Sequence, residues 1–124
     1  MIGKEGKLLK SFANAIRGIV FLFKSQVNGR IELIIAGIVI ATGIVFKIST
    51  TEWLVISLCI ALVLSLEGIN TAIEIFADKL HPGFDQEIGN VKDVAAGAVL
   101  IAAIVAAIIG FIIFAPRILD LIKF

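Results

Sequence analysis

A chain of 124 residues that is 60% apolar and 17% charged, with a mean hydropathy of +1.10, has too little polar surface to cover a soluble domain of its size. Its formal charge of +1 excludes a nucleic-acid module of the basic-patch kind, and its one cysteine excludes a disulfide scaffold or a Cys-rich metal site. An integral membrane protein remains.

Residues 4–24 place Leu8, Leu9, Phe12, Ile16, Ile19, Val20 and Phe23 at spacings of three and four, opposite Lys7, Lys10, Asn14, Arg17 and Lys24. That periodicity predicts an amphipathic helix lying on the membrane surface. A cleavable signal peptide fits poorly, because charges interrupt the apolar residues and the longest apolar run, 19–23, holds five. A bilayer core of about 30 Å takes about 20 apolar residues to cross. The first run, 33–46, has 14 uncharged residues between Glu32 and Lys47, and a snorkelling Lys47 extends it to a span of about 31–51. A second span, about 53–77, starts at the interfacial aromatic Trp53 and carries charges inside it. The third, about 94–116, holds 23 residues without a charge between Asp93 and Arg117. Lys4, Lys7, Lys10, Arg17, Lys24 and Arg30 precede the first span and only Lys47 follows it, so the N-terminus is expected in the cytoplasm and the C-terminus outside. The expected fold is therefore an all-α, multi-pass cell-membrane protein with three transmembrane helices and a surface helix.

A carboxylate within a span is costly, which makes an intramembrane Glu a functional candidate. Glu67, Asn70, Glu74 and Asp78 fall at i, i+3, i+7 and i+11 and stack on one helix face. Counted from Trp53 at 1.5 Å per residue, Glu67 lies roughly 21 Å and Glu74 roughly 31 Å along the helix. The stripe thus starts in hydrocarbon and ends at the headgroups. These groups could simply hydrogen-bond across helices as packing glue, but two carboxylates repel unless they share a proton or a cation. A divalent cation would supply the missing charge, and Mg²⁺ prefers carboxylate oxygen.

Most charges of the 78–93 connection read as a solvated loop, with Pro82, Gly83 and Gly89 as turn formers. At the entrance of the third span, Asp93 is placed to cap the helix and Lys92 to reach a phosphate or to snorkel. His81 reads as a loop residue and Cys59 as inert filler. In the third span Ala98, Ala102, Ala106 and Gly110 recur every four residues and allow close helix approach. Three helices are too few to enclose a polar stripe, so a homo-oligomer with sites between protomers is expected.

The run Glu67-Gly68-Ile69-Asn70-Thr71-Ala72-Ile73-Glu74, then Asp78, then Lys92-Asp93 ahead of an Ala-rich span, resembles the prokaryotic diacylglycerol kinase and undecaprenol kinase family. Lys7, Lys10, Gly18, Arg30 and Glu32 extend the resemblance over essentially the whole chain. It implies a homotrimer that transfers the ATP γ-phosphoryl group to a lipid alcohol, diacylglycerol or undecaprenol, at the cytoplasmic face. It further implies Glu67 as catalytic base, Asn70 as a polar residue of the catalytic centre and Glu74 as a ligand of Mg²⁺. Lys92 and Asp93 match nucleotide-contacting positions, as do Lys7, Asn14 and the turn Gly83, Phe84, Asp85. Where the family commonly has a second metal-binding Glu, this chain has Gln26, whose amide oxygen can still ligate Mg²⁺ but brings no charge; the expectation is either a weaker metal site at Gln26 or recruitment of Glu32 in its place. The Asn70–Glu74 segment and the exit Phe114-Ala115-Pro116 resemble the undecaprenol-type branch.

No G-x-x-x-x-G-K-[ST] loop exists in the chain, so a nucleotide would be held by metal, basic side chains and helix ends. Two other classes of function compete: a proton- or cation-coupled transporter subunit using Glu67 as its binding carboxylate, and a structural oligomer without chemistry. The offset of the stripe towards one membrane face favours the kinase.

Overall fold

A computed structural model describes residues 3–123. It contains four helices in chain order, α1 (Lys4–Ser25), α2 (Val27–Val45), α3 (Thr50–Leu80) and α4 (Gln86–Ile122), with no strand among the described residues. α2, α3 and α4 are each long and apolar enough to cross a membrane, and the protein is a multi-pass membrane protein. α3 and α4 make the most extensive contact, α2 packs on α3, and α1 touches α2 and α3.

The helix ends follow from local chemistry. Gln26 is extended (φ −108°, ψ 124°) and breaks α1 from α2, while Arg30 Nη1 reaches back 2.9 Å to the Lys24 carbonyl and satisfies the end of α1. α2 ends at Val45, about six residues before the expected limit of the first span. The Ile48 N–H donates to the Gly43 carbonyl at 3.2 Å and the Lys47 N–H to the Ile44 carbonyl at 3.2 Å, the paired bonds of a Schellman motif. Lys47 takes the left-handed position (φ 50°) usually given to glycine. α3 begins at once, because Ser49 accepts from the Glu52 N–H at 3.2 Å while Glu52 accepts from the Ser49 N–H at 2.8 Å. This is a complete capping box.

The start of α4 corrects the sequence-based expectation for Asp93. Asp85 is the cap, accepting from the Ile88 N–H at 2.9 Å, so Asp93 lies two turns inside the helix. Val94 marks where the apolar stretch begins, and the helix starts earlier because its first polar turns need no lipid. The connection between α3 and α4 accordingly shrinks to residues 81–85.

The packed apolar core is at the α2–α3 turn. Ile48, Ile56, Ile113 and Phe114 are buried together, with Val39, Phe46, Trp53, Ile60 and Ile109 around them. The Phe46 and Phe114 rings meet at 6.3 Å, and Arg117 Nη2 bonds Glu52 Oε2 at 2.9 Å, tying the end of α4 to the start of α3. Elsewhere large apolar side chains face outward, including Ile38, Leu58, Leu100 and Ile101. In water such an exterior would aggregate; in a bilayer it is solvated.

Candidate active site

α3 has 31 residues and so runs about 46 Å, well beyond a hydrocarbon core of about 30 Å. The polar stripe occupies the C-terminal half of α3. Exposure rises along that stripe: Glu67 and Asn70 are 3% and 5% exposed, Glu74 is half-buried, and Asp78 is exposed. Thr71, at 5%, joins them, so the most buried polar side chains described are three neighbours on α3. Within the spans the exterior is apolar and these three polar side chains are turned inward.

Glu32 on α2 and Glu74 on α3 both lie within electrostatic reach of Glu67. Asn70 Nδ2 donates to Glu74 Oε1 at 3.3 Å, a long bond that holds the two side chains in line. Two oxygens facing this cluster, Asn70 Oδ1 and Glu32 Oε2, are buried without a hydrogen-bond partner. Among the described residues the ion pairs are Lys92–Asp78 and Glu52–Arg117, so none of Glu32, Glu67 and Glu74 has a basic partner. Three carboxylates and an amide, two of whose oxygens are orphaned, offer donors suited to a hard cation or to hydroxyl groups.

That set fits Mg²⁺. No three acid, His or Cys side chains of the described residues converge as a complete cage. Mg²⁺ needs none, since it commonly takes one or two carboxylates, phosphate oxygens and water. Glu74 and Glu32 are the candidate protein ligands. Gln26 sits at the α1–α2 break, where its Nε2 makes a 3.5 Å contact with Ser25 Oγ and no bond to the stripe.

An apolar cleft of about 410 Å³ lies between α2, α3 and α4 and reaches Glu32. Ile35, Ala36, Cys59, Val63, Ala103 and Gly110 are among its walls, and Glu32 is its single charged lining residue. The small residues of α4 therefore divide their work: Ala102 is buried in the bundle, whereas Ala103, Ala106, Ala107 and Gly110 form the cleft floor. A hydrocarbon chain lying there would bring a polar head to Glu32.

The remaining candidates are more scattered. Lys92 Nζ bonds Asp78 Oδ1 at 2.8 Å, joining α4 to the exposed end of the stripe. Asp93 is exposed beside it. Gly83 and Phe84 occupy the tight connection, with the Gly83 carbonyl 3.2 Å from His81 Nδ1 and Phe84 90% exposed. Asp85 is occupied as the α4 cap. Lys7 and Asn14 are exposed on α1 and make no side-chain bond to the stripe. Sequence reasoning did not anticipate the Glu52–Arg117 pair, the buried Thr71 or the pairing of Lys92. The first and last depend on contacts between helices that no local spacing encodes.

The model of prokaryotic diacylglycerol kinase matches residues 13–114 of the chain, which contain the entire stripe and its facing helices. An undecaprenol kinase from Bacillus subtilis (strain 168) is 37% identical over 115 residues, 90% of each protein. A diacylglycerol kinase from Synechocystis sp. is 36% identical over 115 residues, 92% of this chain and 66% of that protein. This kinship removes the transporter reading of Glu67. With the family model covering most of its length and two such relatives, the chain belongs to the prokaryotic diacylglycerol kinase family and is a membrane lipid kinase.

Proposed function

We propose that the protein transfers the γ-phosphoryl group of ATP to the hydroxyl of a membrane isoprenoid alcohol, undecaprenol, as a homotrimer with its sites at the cytoplasmic face. The alcohol lies with its chain in the apolar cleft and its hydroxyl at Glu67. The oxygen–phosphorus bond to the lipid forms as the bond from the γ-phosphorus to the β–γ bridging oxygen breaks, giving undecaprenyl phosphate and ADP. Glu67 accepts the hydroxyl proton, and Asn70 orients the hydroxyl through its free Oδ1. Lys92 exchanges Asp78 for a phosphate oxygen. Asp93, Lys7, Asn14 and the turn Gly83, Phe84, Asp85 contact the nucleotide from the aqueous side. Glu74 would hold Mg²⁺, aided by Glu32 or Gln26, and the ion when bound supplies neutralising charge to the phosphates.

The burial of Glu67 and Asn70 without an ion-pair partner, with Glu67 about one turn along α3 from Leu64 of the apolar cleft, supports this reading best. A purely structural stripe would have its polar atoms paired. The undecaprenol kinase relative aligns over 90% of both proteins, which favours the isoprenoid alcohol; diacylglycerol, giving phosphatidic acid, is the second reading, supported by the other relative. The basic residues ahead of α2 support the cytoplasmic placement.

The test is incubation of purified protein in mixed micelles with γ-labelled ATP, Mg²⁺ and either lipid. Label should enter undecaprenol faster than diacylglycerol. The reverse order selects the second reading. Label in neither, for wild type and for Gln26→Glu alike, overturns the kinase reading of this site.

A further inference from the structure

Apart from the Arg30 bond to the Lys24 carbonyl at its end, α1 is buried against the other helices at one residue. Leu22 is its one buried residue, and it sits over two glycines of different helices. A Cβ at Gly29 on α2 would lie 3.3 Å from Leu22 Cγ and 3.3 Å from the Leu22 carbonyl oxygen. A Cβ at Gly68 on α3, next to Glu67, would lie 3.6 Å from Leu22 Cδ2. A groove of about 620 Å³ runs from Leu22 towards the start of α1, between Ala15, Gly18 and Ile19 on one wall and Ser65 and Ala72 on the other. Beyond Leu22 the helix reaches the extended Gln26, a natural hinge.

We propose that Leu22 is a positioning residue for nucleotide binding. Its seat between Gly29 and Gly68 fixes the angle of α1 about Gln26, and so the place of the basic and polar side chains that α1 carries. The proposal rests on the kinase reading for its consequence, because it assigns Lys7 and Asn14 to the nucleotide. The lever is long: from Gln26 to Lys7 is 19 residues, about 28 Å of helix, so a swing of about 10° displaces Lys7 by about 5 Å. A shift of that size removes a phosphate contact without touching Glu67 or the apolar cleft.

The test combines ATP affinity with a distance. In Leu22→Ala the Kd and KM for ATP should rise about tenfold while kcat and the lipid KM stay within about twofold, since contact to a non-reacting part of the substrate is lost. Leu22→Met, of similar volume, should restore ATP affinity. Gly29→Ala should mimic Leu22→Ala, because the tight approach involves the Leu22 backbone oxygen, whereas Gly18→Ala, with no atom near its Cβ, should not. Spin labels at Ser11→Cys and Leu80→Cys in a Cys59→Ser background, diluted with unlabelled chains, should give a narrow distance that broadens by several ångström in Leu22→Ala. An unchanged ATP affinity or an unchanged distance overturns the proposal. A wild type that binds ATP but labels no lipid rejects the kinase reading and leaves the affinity and distance tests of Leu22 intact.

Discussion

Asn70→Leu separates a site residue from packing glue. The side chain is 5% exposed, donates one long bond of 3.3 Å to Glu74 and leaves Oδ1 unpartnered. Leucine has a similar size, so little cavity forms. Losing the bond costs about 0.5–1.5 kcal/mol, and removing an orphaned buried acceptor returns about 1–3 kcal/mol. The folded state should therefore be unchanged or more stable by up to about 2 kcal/mol, read as the midpoint of helicity loss in a denaturing detergent titration. Activity should move the other way. Loss of an orienting polar group at the reacting hydroxyl is expected to lower kcat by about 10²–10³, measured as label transferred per minute at saturating ATP and lipid. If Asn70 were glue, the midpoint would drop and transfer per folded molecule would persist; that pair of results would refute the assignment.

Three predictions concern the scaffold. Gly43→Ala places a Cβ 2.8 Å from Trp53 Cη2 and 3.1 Å from Ile48 Cδ1, so it should destabilise the protein by about 1–3 kcal/mol while transfer per folded molecule holds. Lys47→Gly relieves the left-handed backbone (φ 50°) and should raise stability by about 0.5–1 kcal/mol in the same titration; a fall would show the lysine side chain to be anchored. Arg117→Ala removes the clamp on Glu52 and should lower the midpoint with no change in ATP KM, because the pair lies at the opposite end of α3 from Glu67. A changed KM would tie that end to the site.

The stripe was legible because acids and an amide inside an apolar segment leave few interpretations, and the 3.6-residue turn places i, i+3, i+7 and i+11 on one face. Helix ends were less legible. Phe46 and Ile48 continue the apolar pattern, so nothing local announced that Lys47 would take a conformation normally left to glycine. Asp85 and Asp93 both precede helix-forming residues, and the apolar onset at Val94 drew attention to the wrong one; hydrophobicity marks entry into lipid, whereas capping marks the start of the helix. The approach of Glu32 to Glu67, the pairing of Lys92 with Asp78 and the seat of Leu22 each join different helices, and a linear pattern holds no information about which faces meet.

The central claim is that phosphoryl transfer occurs at Glu67, and Glu67→Gln tests it with one atom changed. The amide keeps the shape of this buried side chain and cannot accept the hydroxyl proton. The measurement is kcat for lipid phosphorylation in mixed micelles, on protein shown by sedimentation to assemble as the wild type does. With Glu67 as the base, assembly should be intact and kcat should fall by about 10²–10⁴. A properly assembled variant whose kcat stays within about threefold of wild type would contradict it and move the chemistry elsewhere on the stripe.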